Sequence, residues 1–440
     1  MFEVSILALG LAAAPVQEQS APLFDQSAPL AREELVSAVL ARNPTLEAMR
    51  QAWLAAEQRV PQATSLEDPI ASYSLAPLSV ASDRVGLGQE VRVSQRFPYP
   101  GTLRLRGEAA RAEAEAAALG FEAERLRLAL VAAQLHDDYA LVDRALAINE
   151  EHIRLLEDFQ GVATARYAAG LVPQQDPLQA EVEATHLLHR RIVLRTDQDV
   201  LRAQMNALLH RAPEAALPPA GDLPVPEDTL PEIAQLESQA LSGRPELRQR
   251  EATVRAREAE AGLKRLAGRP SFEAMASYNS MWMDTGHRWM VGVGVNLPIW
   301  RKRVRAGVAE AEARLAQARS ERVAAEDEVR SEVRQAYDRL QELRHVVELY
   351  QSRLLPATRD QVRASLAAFT TGQTSFLSVI EAERKQRTVE LNYVEALRDY
   401  SRARAELDRA VGRVPGPPGA PAVIAELADA PNVKQGGESR

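Results

Sequence analysis

The chain repeats itself. Phe97-Pro98 returns as Leu297-Pro298 200 residues later, and Asn43-Pro44 returns as Arg244-Pro245 after 201. Tyr167-Ala168-Ala169-Gly170 returns as Phe369-Thr370-Thr371-Gly372 after 202, and so do Ala180-Glu181 as Ala382-Glu383 and Asn206 as Asp408. An offset held this constant predicts an internal two-fold repeat, so whatever one half builds the other must build too. The first repeat is read as 32–211 and the second as 231–412, with a Pro-rich linker over 212–230. Each half reads helix, strand, strand, long helix, turn, helix.

The junction from strand to long helix sets the scale. In Trp289–Trp300, Val291, Val293, Val295 and Leu297 alternate with Gly292, Gly294 and Asn296, which is the period of a strand, and Pro298 ends it. Arg301-Lys302-Arg303 follows. Apolar or small residues then recur at 304, 308, 311, 315 and 318, and again at 325, 329, 333, 336, 340, 343, 347, 350 and 354. That 3-4 spacing predicts one coiled-coil-like helix to about Phe369, a rod of roughly 100 Å. Upstream, Val91, Val93 and Phe97 alternate with Arg92, Ser94 and Arg96, and Pro98 ends that strand. A second rod is predicted from Leu103 to about Ala168, with Leu128, Val131, Leu135, Tyr139, Val142, Leu146, Ile153 and Leu156 in its seam. The strand candidates are 68–77, 85–97, 271–283 and 287–299. Shorter helices are expected over 32–60, broken at Asn43-Pro44, over 175–210, and over 375–412.

Composition excludes whole classes of chemistry. There is no cysteine, so disulfides, thiolate metal sites and thiol catalysis are absent. Only 5% of residues are aromatic against 46% apolar, which suits long helices. The net charge is −8 with both signs interleaved, and no basic patch suggests nucleic acid. Residues 1–14 are a candidate signal peptide, apolar and ending in Leu11-Ala12-Ala13-Ala14, although Glu3 and Pro15 depart from the pattern. Residues 15–31 read as irregular and 413–440 as a disordered tail. No other apolar run is long enough for a transmembrane helix, which does not argue against barrel strands.

Two strands in each half cannot stand alone. A lone hairpin is marginal in water, and four strands cannot close a barrel of useful bore. The chain is therefore expected to oligomerise around an axis. Trp282, Trp289 and Trp300 lie at the ends of the last two strands, where aromatic girdles of a membrane belt would sit. An edge-protected soluble sheet is the competing reading.

On these landmarks the chain resembles the TolC-type outer-membrane efflux channel family across about 32–412. The tip motif Tyr-x-x-Gly, turn, Ala-Glu is carried by Tyr167–Glu181 and, with Phe for Tyr, by Phe369–Glu383. Gln95-Arg96-Phe97-Pro98-Tyr99-Pro100-Gly101 is similar to the heavy-metal efflux branch. The resemblance implies a mainly α fold with a small β part. A long-helix α-barrel, or coiled-coil tunnel, is joined to a transmembrane β-barrel, four strands per chain, in a homotrimer. It also implies the outer membrane of a Gram-negative bacterium with the tunnel in the periplasm, surrounding outer-membrane lipid, a periplasmic adaptor (membrane fusion) protein and an inner-membrane pump of RND type. It implies no enzymatic activity and no cofactor. The function expected is passive conduction of metal ions or small toxic compounds to the exterior. The alternatives are a type I protein secretion duct and a soluble coiled-coil scaffold. The resemblance also places the aperture and adaptor contact at Tyr167, Gly170, Asp176, Glu181, Phe369, Gly372, Glu381 and Glu383. Asp176 and Glu381 match aperture carboxylates, whereas Ser378 stands where a second acid often sits.

Other clusters are weaker. Met275, Met281, Met283 and Met290 with His287 offer soft-metal ligands, but gap-filling methionine at a barrel rim explains them more simply. His186 and His189 near Glu183 read as an exposed pair on a charged helix. His136-Asp137-Asp138 lies within a helical seam and reads as a solvated face. Gly86-Leu87-Gly88 and Gly292-Val293-Gly294 lack the context of a phosphate loop. No nucleophile elbow or His-Glu-x-x-His is present.

Overall fold

The computed structural model describes residues 23–79, 87–226, 230–282 and 285–415. The signal segment, residues 15–22, Met283 and the tail beyond 415 lie outside the described residues. The first half holds α1 (Arg32–Arg42), α2 (Pro44–Glu57), α3 (Arg59–Thr64), β1 (Ile70–Leu75), β2 (Gln89–Phe97), α4 (Thr102–Ala168) and α5 (Gln175–Leu208). The second holds α6 (Ile233–Gly243), α7 (Pro245–Leu266), β3 (Ser271–Asn279), β4 (Trp289–Asn296), α8 (Arg301–Leu349), α9 (Leu355–Thr370) and α10 (Phe376–Val411). α4 packs on α5, α7 and α10, and α10 packs in turn on α8 and α9.

The proline breaks fall where expected, by different chemistry. Asn43 Oδ1 accepts the Thr45 N–H at 2.9 Å, a side-chain cap with Pro44 in the first turn, and its amide donates to Leu208 O at 3.1 Å. Arg244 makes no such cap; its buried guanidinium instead pairs with Glu246 and Glu332. The predicted single helix 304–369 is continuous but not uniform. Tyr350–Leu354 form a π turn between α8 and α9. Pro356 supplies the cause: it has no N–H to donate and its ring crowds the carbonyl four residues back, and a widened turn relieves both. The seam itself holds. Leu315, Val329, Val333, Leu340, Leu343 and Val347 are all buried.

The strands form one antiparallel sheet in the order β1-β2-β3-β4. The register pairs Tyr73 with Val91, Val93 with Ala276, Phe97 with Phe272, Ala276 with Val291 and Phe272 with Val295. Cross-strand partners share a face. One face is therefore mainly apolar, interrupted by Gln89 and Gln95, and the other carries Ser72, Glu90, Arg92, Arg96, Glu273, Ser277 and Asn296. The apolar face is uncovered within the protomer: Val291 is 90% exposed and Val293 75%. Among the described residues, the outer edges of β1 and β4 have no partner strand.

His136-Asp137-Asp138 is not a solvated face. His136 Nε2 lies 2.9 Å from Leu30 O, Asp137 accepts Arg32 at 2.6 Å, and Asp138 takes Arg398 at 3.0 Å and also Arg402. Arg32 also donates to Ser401 Oγ at 2.7 Å. The segment around Leu30 and α1 folds back over α4, adding a layer that no helical period announces.

Core packing and surface pairing should separate in measurement. Leu340→Ala, at a site 1% exposed, should cost about 2–5 kcal/mol in chemical denaturation of the purified protein. Arg330→Ala removes an exposed pair with Asp327 and should cost less than about 1 kcal/mol.

Candidate functional site

The two helical hairpins end in turns of one design. After α4, Gly170 adopts φ +70° and donates to Tyr167 O at 2.9 Å, while Leu171 N reaches back to Arg166 O. After α9, Gly372 adopts φ +79° and donates to Phe369 O at 3.0 Å, while Gln373 N reaches Ala368 O. This is the left-handed helix stop, and it explains glycine at both positions.

Arg166 joins the two turns, and sequence reasoning missed it. Its Nη1 donates to Thr370 O at 2.5 Å, and its guanidinium lies 5.0 Å from the centre of the Phe369 ring. Burial raises the Asp176 carboxyl above its usual range, against the opposing pull of Arg166. Phe369 is buried and packs on Phe376 with ring centres 5.1 Å apart, whereas Tyr167 is exposed. A phenyl ring can be sealed in the tip core; a phenol keeps its hydroxyl in water. Tyr167, Gly170, Asp176, Phe369 and Gly372 thus come together at the turns. Glu181 and Glu381 lie on exposed helix surface one turn or more further along.

Glu383 does not belong to an aperture or a contact surface. It is 0% exposed. Its Oε1 lies 2.8 Å from His152 Nδ1 and accepts Arg387 at 3.0 Å. His152 Nε2 meets Glu390 at 2.9 Å, so the imidazole is held at both nitrogens. Arg387 and Arg384 both donate to Glu183, each at 2.9 Å, and Arg359 stands 3.6 Å from Glu390. The chain of charges touches α4, α5, α9 and α10. Glu183 is consequently committed to arginines, while His186 and His189 are exposed as read. The signal was in the sequence: Phe376, Ile380, Glu383, Arg387, Glu390, Val394 and Leu397 follow the 4-3 seam spacing. Charges at three seam positions announce a buried network.

Burial opposes protonation of His152, but Glu383 and Glu390 outweigh it and push its pKa up to about 9. Burial likewise raises Glu183 and Glu390, and their cationic partners hold both below the usual carboxylate range.

The rim candidate Met281, Met283 and His287 falls partly outside the described residues, since Met283 is not among them. Met275 lies over Gly292 and Gly294, filling space their absent side chains leave, and Met281 lies against Gly88. Among the described residues no group of three His, Asp or Glu is placed to hold a metal. Trp282, Trp289 and Trp300 are all exposed, with Tyr278 edge-on to Trp289 at 5.3 Å.

Long paired rods lead from a two-faced sheet at one end to glycine-stopped turns at the other. Residues 236–413 match the model of the family described as outer membrane efflux protein. The outer membrane efflux protein BepC of Brucella suis is 25% identical over 295 residues, covering 64% of this chain and 60% of that protein. The chain thus matches about three fifths of the length of this curated relative. Among solved structures, the outer-membrane channel OprN has TM-score 0.74 at 19% identity, covering 92% of this chain and 97% of that one. CusC has TM-score 0.74 at 18% identity, covering 90% and 96%. The open-state MtrE channel of Neisseria gonorrhoeae has TM-score 0.73 at 18% identity, covering 87% and 89%. Residues 236–413 thus resemble the outer membrane efflux protein family, and the fold of the chain is that of these outer-membrane channels.

The His152 network should give stability a pH dependence. Its folded pKa of about 9 exceeds the ordinary 6.5, so its contribution is complete below 6.5, declines between the two values and is absent above 9. The full effect is about 3 kcal/mol. Unfolding free energies measured across this window should fall for the wild type and stay flat for His152→Gln; a flat wild-type profile would refute the assignment.

Proposed function

We propose that the chain is the outer-membrane exit duct of a tripartite efflux system and works as a homotrimer. The observation that carries this reading is the sheet, with one mainly apolar exposed face, one largely polar face and two edges unpaired among the described residues. In a bilayer every backbone group must find a partner, so the β4 edge of one protomer must pair with the β1 edge of the next until the ring closes. Three chains give twelve strands, with Val291 and Val293 towards lipid and Arg92 and Arg96 towards the lumen. Trp289 and Trp300 then sit in the interfacial belt, and Arg301-Lys302-Arg303 at the inner rim. The helices support the same ring. α5 leaves Leu178, Val182, Ile192 and Val200 exposed, a stripe suited to the outer side of α8 and α9 in the neighbouring protomer. The two halves, 32–211 and 231–412, are read as a duplicated unit.

Asp176 and Glu381, repeated by symmetry, place carboxylates near the narrow end, where they attract cations. The turns receive the helical hairpin of a periplasmic adaptor, which couples the duct to an inner-membrane pump. The cargo inferred is metal ions or small toxic compounds, and the Gln95–Gly101 segment favours metal ions.

The protein should fractionate with the outer membrane, migrate as a detergent-stable trimer and conduct in planar bilayers. Arg166→Ala removes the tie between the turns and should raise single-channel conductance several-fold. Asp176→Asn with Glu381→Gln should reduce cation selectivity. Monomeric protein without conductance would refute the duct, and unchanged selectivity in the double variant would refute the carboxylate role.

A further inference from the structure

Halfway along the helices, α4, α9 and α10 and the segment 220–225 enclose a cavity of 610 Å³. That lies within the range of about 300–1,000 Å³ typical of small-molecule sites. Nothing in the duct reading requires it. Its walls are apolar where Ile148, Leu223, Leu355 and Leu397 contribute, and Tyr393 adds an aromatic face. Leu355 is the first residue after the π turn, a deformation often found beside functional sites.

The charges around the cavity are unequal. Asp143, Glu151, Asp222 and Glu390 line it against only Arg144 and Arg359. Two of the acids are occupied: Asp143 accepts Gln198 and the Ala220 N–H, and Glu390 takes His152. Arg359 is drawn towards Glu390. Glu151 and Asp222 are exposed at the opening and make no hydrogen bond or ion pair among the described residues. Arg144 lies near Tyr393 and makes no hydrogen bond or ion pair among the described residues, so two uncommitted carboxylates stand against one such cation. A chamber with apolar and aromatic walls and this acidic excess at its mouth favours a cation whose charge is carried on an apolar body over an anion.

We propose that this cavity is a binding site for a lipophilic organic cation, held by Glu151 and Asp222 at the mouth and by the Tyr393 ring in the wall. The site lies on the helical body away from the tip turns, and its occupancy is independent of conduction. It is also connected. Glu390 lines the cavity and holds His152, so a bound cation competes for that carboxylate and lowers the pH at which His152 releases its proton.

The test uses the full chain in lipid nanodiscs, titrated calorimetrically with tetraphenylphosphonium, with empty nanodiscs subtracted. Tetraphenylborate, its anionic isostere, is the charge control. The cation should bind saturably and the anion should not. Glu151→Gln with Asp222→Asn alters only exposed carboxylates and should weaken binding about 10-fold. Ala147→Trp, at an exposed position lining the cavity, should abolish binding by filling it. Imidazole resonances of His152 should titrate at lower pH with the probe bound. No saturable heat, equal binding of the anion, or unchanged affinity in both variants would overturn the proposal.

Discussion

A sheet edge cannot be left open in hydrocarbon. β1 and β4 each present a row of backbone donors and acceptors with no partner, beside an apolar face that water would penalise. In a soluble domain such a sheet would be covered by a helix or blunted by charge. Here the helices run away from it: Pro98 and Pro298 end the strands, and the rods begin within a few residues. The apolar face and the open edges are therefore satisfied together only by lipid and by further copies of the same strands. Ring closure, on our reading, follows from backbone chemistry before any side chain is considered. The exposed stripe on α5 is the helical counterpart of the open β edges.

Rods of this length pose a second difficulty, because a continuous apolar seam specifies helix pairing but not axial register. A seam of Ala, Leu and Val can slide by a heptad at little cost. The charges at Glu383, Arg387 and Glu390 interrupt that degeneracy. Burying them is expensive unless each meets its partner, and each does, on three other helices. A slip of one heptad would leave His152 and Glu183 buried without counter-charges. The Arg32–Asp137–Ser401 and Arg244–Glu332 contacts are placed to fix the shorter helices against the rods in the same way.

What could be read in advance was whatever is local and periodic. Strand alternation, the 3-4 seams, the proline breaks and the glycine stops at Gly170 and Gly372 all fell within a few residues of their expected places. The long-range layer was not legible. His136-Asp137-Asp138 looked solvated because its partners Leu30, Arg32 and Arg398 are far away in sequence. Glu383 looked like a tip residue because its motif was matched by spacing, whereas its burial depends on α4. Pro356 was visible and unused, and the π turn is its consequence. Arg166 carried no motif at all; it matters because two turns 200 residues apart meet.

The constant sequence offset itself shows where spacing stops being informative. Leu178 and Ile192 on α5 correspond by the constant offset to Ile380 and Val394 on α10, yet the first pair is exposed and the second buried. Tyr167 and Phe369 divide in the same way, and Asn43 and Arg244 close equivalent breaks with a cap in one half and an ion pair in the other. The asymmetry has one cause. α10 lies inside the protomer, between α4 and the α8–α9 rod, whereas α5 lies at its margin. The two halves therefore share a backbone plan but occupy different neighbourhoods, and each side chain follows its neighbourhood. An apolar stripe retained on the marginal helix is then a statement about what lies beyond it. On the trimeric reading we propose, residues such as Ile192 and Val182 stay apolar because the assembled ring would give them the burial that α10 already has within one chain.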